Sequence, residues 1–233
     1  MSKLKVPLLT RVRVYYPYKI FMRVRYKVLD IYSSSLIIIS MKVIFLDIDG
    51  VMNSENHARE MHKLVEEGKL SEKKFYSTWD LPYEGTILPL KKIIEQTGAS
   101  VVLSSSWRLL RGKFEELNKI FGKYGFQMID RTCHGVALSK LVEIGLDPNK
   151  CWDAQYRGFN EEDKWYNTTT SDRGAEIAVW LHEHPEVESF VILDDDWADI
   201  EPYYIEEHVQ TNFYDWGLTE ELADKAIKIL NKK

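Results

Sequence analysis

Three short apolar runs, at residues 43–46, 100–103 and 190–193, each stop at a polar residue able to do chemistry: Asp47, Ser104 and Asp194. Short, unbroken apolar runs of this kind suit strands buried on both faces, as parallel strands are when helices cover the sheet. Between and beyond them, apolar residues recur at helical spacing over 88–96, 112–124, 136–144, 174–183 and 219–231, with weaker strand candidates at 126–129 and 208–211. The repeated order of strand, helix and strand predicts an α/β domain built on one parallel sheet. A chain of 233 residues is long enough to bury one such core with an insertion.

Two stretches break the alternation. Residues 54–86 form a charged segment with aromatics near its end, and residues 149–172 form a polar loop carrying Trp152, Tyr156, Phe159, Trp165 and Tyr166. Loops this long in a compact domain tend to be functional, so both are expected to shape substrate selectivity, the first as a small cap.

Charge divides the chain. Residues 1–40 carry eight Lys/Arg against the single acid Asp30, which leaves 23 bases and 35 acids in residues 41–233. The main domain, 41–233, is therefore acidic, which disfavours broad electrostatic adhesion to nucleic acid while allowing a local basic groove. Residues 1–40 read as a basic extension. Basic and apolar or aromatic side chains alternate over 11–28 around Pro17, the pattern of a short hairpin or of a weakly ordered leader. Met41 directly precedes the first core strand, so a functional start at Met41 is expected; a chain beginning there that failed to fold or lost activity would refute it.

The apolar stretch 36–46 is interrupted by Ser40 and Lys42 and runs into Asp47. That is too short to span a bilayer, and no membrane role is expected. Cys133 and Cys151 are the only cysteines and lie in no metal-ligand spacing, which fits a reducing cytoplasm without a disulfide framework. Nothing in the sequence calls for an obligate protein partner.

The chemistry concentrates where the strands end. Lys42-Val-Ile-Phe-Leu-Asp47-Ile-Asp49-Gly50 is a buried strand closing on two carboxylates and a glycine able to turn sharply. Open α/β sheets bind ligands beyond the carboxyl ends of their strands, which places Asp47 and Asp49 at the mouth of a site. A second strand, Phe190-Val-Ile-Leu-Asp194-Asp195-Asp196-Trp197-Ala198-Asp199, ends in another acidic cluster about 145 positions later. The two clusters meet only if their strands are sheet neighbours.

These residues resemble the motifs of the haloacid dehalogenase (HAD) superfamily, whose first motif is an apolar strand followed by Asp-x-Asp-Gly. The resemblance implies a Rossmann-like three-layer sandwich with a central parallel sheet and a small cap. It also implies Asp47 as nucleophile toward phosphorus and Asp49 as general acid and base. A carboxylate attacking a phosphate dianion needs a cation between them, so Mg2+ is the implied cofactor. Its ligands would be Asp47, Asp49 through its backbone, and Asp194, with Asp195 in support and Asp199 as a substitute. Ser100-Val-Val-Leu-Ser104-Ser105-Ser106-Trp107-Arg108 resembles the second motif. Ser105 is the expected phosphoryl-binding hydroxyl and Ser104 the alternate, while Trp107 offers a stacking surface and Arg108 a grip on a second anionic group. The third motif is usually a Lys, whereas Arg173 stands in its place in Ser171-Asp172-Arg173-Gly174; Lys164 is the reserve, and Asp172 or Ser171 is expected to cap the following helix.

Together with Arg-Gly-x-Glu-Ile, the motifs look most like the HAD domains linked to RNA-repair proteins. The implied activity is phosphomonoester hydrolysis on a nucleotide or a nucleic-acid 3′-phosphate end. A phosphorylated small metabolite is the alternative substrate, and a non-catalytic module binding phosphate or metal is the alternative role.

Overall fold

Val43 and Phe45 leave the first strand toward one side, Ile44 and Leu46 toward the other, and all four are fully buried, as a two-residue period demands of a strand covered on both faces. In the computed structural model, which describes residues 40–151 and 169–232, this strand is β1 (Met41–Leu46). It lies at the centre of a five-stranded sheet ordered β3-β2-β1-β6-β7, with every pairing parallel. The partners are β2 (Ser100–Leu103), β3 (Met128–Arg131), β6 (Val187–Asp194) and β7 (His208–Gln210).

One face packs Ile44, Leu46, Val101, Leu103, Val191 and Leu193 against α3 (Glu84–Thr97), α4 (Lys113–Gly122) and α8 (Glu220–Leu230). Val43, Phe45, Val102 and Ile192 meet α6 (Arg173–Glu183) and the residues leading into α7 (Glu201–Tyr204) on the other face, with Trp180 edge-on to Phe45 at 5.3 Å. The expected α/β sandwich is thus present, with a parallel sheet between two helical layers.

Three boundaries differ from the sequence reading, each for a packing reason. β3 begins at Met128 rather than 126, because Phe126 stacks on Phe121 at 5.1 Å instead of joining the sheet. The helical pattern at 136–144 is split: Val136–Ala137 forms β4, paired antiparallel with β5 (Thr169–Thr170), and α5 occupies only Leu138–Glu143. Finally, the segment 54–86 contains α1 (Glu55–Glu66), α2 (Glu72–Tyr76) and the start of α3. Neither α1 nor α2 has a buried residue, although Ala58, Met61, Leu64 and Val65 recur at helical spacing in α1. Ser54 starts α1 by accepting a hydrogen bond from the His57 N–H.

The expectations for residues 1–39, for most of the aromatic loop including Trp152 and Trp165, and for Lys164 lie outside the described residues. Among the described residues, no helix is long and apolar enough to cross a membrane. Cys133 is a free, exposed thiol, and Cys151 is buried with its Sγ 3.0 Å from the Tyr203 hydroxyl.

Candidate active site

Register brings the chemistry together. Leu46 of β1 is paired with Leu103 of β2 on one side and Leu193 of β6 on the other. The next residue along each strand path is Asp47, Ser104 or Asp194, so all three sit abreast at the carboxyl end of the sheet. Asp47 N–H donates to the Leu193 carbonyl and Ser104 N–H to the Leu46 carbonyl, which extends the ladder to the edge of the site. Carboxylate oxygens of Asp47, Asp194 and Asp195 lie within 4.8 Å of one another. The condition that the two acidic strands be neighbours is met.

Gly50 makes this approach possible. Its φ of +73° is in the left-handed region, and a Cβ there would come within 2.4 Å of the Asp195 carboxylate. Glycine is therefore required both by backbone conformation and by the closeness of the Asp195 carboxylate.

Asp47 and Asp194 are both buried, and this sets their protonation. Burial pushes the Asp47 carboxyl up to about 6, against the opposing pull of the Arg173 guanidinium, the Ser105 hydroxyl and the Ile48 amide. Burial, and then the charge of Asp47, raise Asp194 well above the usual carboxylate range. Asp194 Oδ2 is buried without a hydrogen-bond donor. Arg173 stands between the two acids, with Nη1 3.4 Å from Asp47 Oδ1 and Nε 3.8 Å from Asp194 Oδ2. Burial alone would lower its pKa, but the charges of Asp194 and Asp47 raise it. The cation at this place is an Arg in a position that touches both carboxylates.

The fold holds Arg173 there by close packing. Its N–H donates to Asp199 Oδ2 at 2.9 Å, and the Gly174 N–H donates to the Asp199 carbonyl at 3.0 Å. Asp199, expected as a substitute metal ligand, instead caps α6. Asp172 occupies the N-cap position without making a side-chain cap, and its Oδ1 accepts from the Thr170 hydroxyl. A Cβ on Gly174 would lie 2.5 Å from Tyr203 and 2.8 Å from the Asp199 carbonyl, so the glycine after Arg173 lets α6 press onto the α7 turn.

Of the second-motif residues, Ser105 is buried, its hydroxyl opposes the rise in the Asp47 pKa, and it accepts from the Trp107 N–H. Ser104 is buried with its Oγ unpartnered. Two expectations are corrected. Arg108 does not face an open anion site: its guanidinium donates to the Ser105 carbonyl at 2.6 Å and the Cys133 carbonyl at 3.1 Å, and pairs with Glu176 in α6. Trp107 is not a free stacking surface, because its ring is part of the apolar core and Lys113 lies over it at 4.6 Å. Its Nε1–H donates to Asp49 Oδ2 at 2.8 Å.

The described residues include further contributors to which sequence reasoning gave no role. Asn53 donates to Asp49 Oδ1 at 2.8 Å and to the Asp80 carbonyl at 2.6 Å, and accepts from the Gly50 N–H. Its position four residues after Asp49, closing a tight turn, was the available signal. Glu176 is fully buried and also accepts from the Gly135 N–H at 3.0 Å; a lone acid in the apolar face of a helix was the corresponding clue. The Asp49 carboxylate stands outside the three-acid group and is exposed.

Comparison of the chain with characterised proteins and with solved structures finds no match to either. A protein family described as the HAD domain in Swiss Army Knife RNA repair proteins matches residues 43–223. The match runs from β1 into the first turn of α8 and includes Asp47, Ser105, Arg173 and Asp194 on the way. The chain therefore belongs to this family, and its domain is of the HAD, phosphatase-type hydrolase kind.

Proposed function

We propose that the domain is a Mg2+-dependent phosphomonoester hydrolase working through a phosphorylated Asp47, on a nucleotide or on the 3′-phosphate end of a nucleic acid. The observation that carries this reading is the meeting of Asp47, Asp194 and Asp195 within 4.8 Å, with Asp194 Oδ2 buried and lacking any donor. Hard anionic oxygens crowded around an unmet acceptor fit Mg2+. Asp47, Asp194 and Asp195 would hold it, with the Asp49 backbone carbonyl. When bound, the ion supplies the positive charge that lets a carboxylate approach a phosphate dianion.

The chain's own groups divide the rest of the work. An Asp47 oxygen forms the bond to phosphorus while Arg173 and Ser105 hold that carboxylate in place. Asp49 gives its proton to the departing ester oxygen, then takes one from water as the acyl phosphate is hydrolysed. Exposure of Asp49, beside an insertion whose first two helices bury no residue, leaves room for a polymer end. One observation favours a small phosphorylated metabolite instead: Arg108 is paired to Glu176 and so is not open to a second phosphate.

The test is a Mg2+-dependent phosphate-release screen over nucleotides, sugar phosphates and 3′-phosphorylated oligonucleotides, run beside Asp47→Asn. Turnover is expected in the wild-type protein and absent in the folded variant. Ordinary kinetics in Asp47→Asn removes the nucleophile. Inactivity on oligonucleotides with activity on metabolites selects the second reading, and no release across the panel leaves a binding module.

A further inference from the structure

Asp49 is held at both ends. Its Oδ1 accepts from Asn53 Nδ2 at 2.8 Å and its Oδ2 from Trp107 Nε1 at 2.8 Å. Both donors come from buried residues, and both are fixed by further bonds. Asn53 Nδ2 also donates to the Asp80 carbonyl at 2.6 Å, and Asn53 Oδ1 accepts from the Gly50 N–H at 3.1 Å. Trp107 is anchored by its place in the apolar core and by its N–H to Ser105 Oγ. An exposed carboxylate ordinarily turns freely about its last torsion. Two fixed donors, one on each oxygen, remove that freedom and set the plane in which the remaining lone pairs lie.

We infer that Trp107 and Asn53 are positioning residues for proton transfer by Asp49, and that Asn53 ties the carboxylate to the insertion between β1 and β2 through the Asp80 carbonyl. The inference rests on the reading of Asp49 as general acid. In that step the bond from Asp47 oxygen to phosphorus forms and the bond from phosphorus to the ester oxygen breaks. The electron pair passes to the ester oxygen, which receives the Asp49 proton. The need for that proton depends on the leaving group: an alkoxide requires it, whereas p-nitrophenolate departs without much help. A clamp that aims the proton therefore matters for alkyl esters and little for the aryl ester, while damage to the fold lowers both alike.

The experiment compares single-turnover release of the alcohol or phenol, with full-length protein and Mg2+, from an alkyl phosphate the wild-type protein cleaves and from p-nitrophenyl phosphate. Wild type, Asp49→Asn, Trp107→Phe and Asn53→Ala are measured side by side. General acid catalysis contributes about 10²–10⁴-fold, so Asp49→Asn should lose about a hundredfold or more on the alkyl ester. Trp107→Phe and Asn53→Ala should each lose about tenfold on the alkyl ester and less than about threefold on the aryl ester. In the Asp49→Asn background neither should add a further loss. The ratio of the two rates within one preparation cancels any unfolded fraction, and Trp107→Phe, which keeps an aromatic ring, stands alone if Asn53→Ala does not fold. Equal losses on both esters overturn the positioning role. If the wild-type protein cleaves neither ester, or Asp49→Asn shows no selective loss, the general-acid reading itself fails and takes the inference with it.

Discussion

Glu176→Ala strips the Arg108 guanidinium of its carboxylate inside the protein. The two side chains are 5% and 0% exposed, so solvent and salt do not screen the loss as they would at the surface. Arg108 keeps the Ser105 and Cys133 carbonyls, which accept its hydrogen bonds without neutralising its charge, and the Gly135 N–H loses its acceptor. Breaking a buried pair from one side costs about 3–5 kcal/mol. For a domain of this size each kcal/mol lowers Tm by about 2–4 °C, so the variant should melt roughly 6–20 °C lower. Urea titration at pH 7 checks it, through a lowered midpoint at unchanged slope. Replacing both partners, as Arg108→Met with Glu176→Leu, should restore much of the loss, because no charge is then left buried. A shift of less than about 1 kcal/mol in Glu176→Ala, the range of an exposed pair, would refute the reasoning and return Arg108 to the site as a free cation.

Asp47 titrates near 6 in the folded, metal-free protein, above the ordinary 3.8; the unfolded chain therefore releases this proton first, and its contribution to stability is full below about 4 and lost as pH rises through about 6. Asp47→Asn should accordingly gain stability relative to metal-free wild type as pH rises from 4 to 7, and chemical denaturation at pH 4 and pH 7 reads the difference. Gly50→Ala forces a side chain into the left-handed region and onto the Asp195 carboxylate; it should cost about 1–2 kcal/mol from backbone strain and weaken Mg2+ binding measured by calorimetry. Mg2+ should raise the Tm of the wild-type protein and be without that effect on Asp194→Ala, and chelation should abolish turnover. Arg173→Lys should keep more activity than Arg173→Ala, since the contacts to Asp47 and Asp194 are longer than a tight bidentate pair, and kcat on one substrate compares the two.

The apolar runs determined the sheet. Val43 to Leu46, Val101 to Leu103 and Val191 to Leu193 are buried on both faces, a state that only unbroken apolar sequence tolerates, and acids placed directly after such runs had to emerge at the strand ends. The strand-end places of Asp47, Ser104 and Asp194 were legible for that reason. Helix α6 was equally visible, because one face of the helix must be apolar to cover the sheet, whereas Arg173 was placed by its resemblance to the third HAD motif. What tertiary structure alone decided was which polar groups meet. Arg108 looks like a substrate cation in sequence and becomes structural because α6 brings Glu176 beneath it; Asp199 looks like a metal ligand and becomes a helix cap. Trp107 and Asn53 reach the same carboxylate from positions separated by three helices and a strand. Hydrophobic periodicity reports how one residue faces solvent or core, whereas a hydrogen bond between distant segments depends on the register and packing of both, and no local pattern records it.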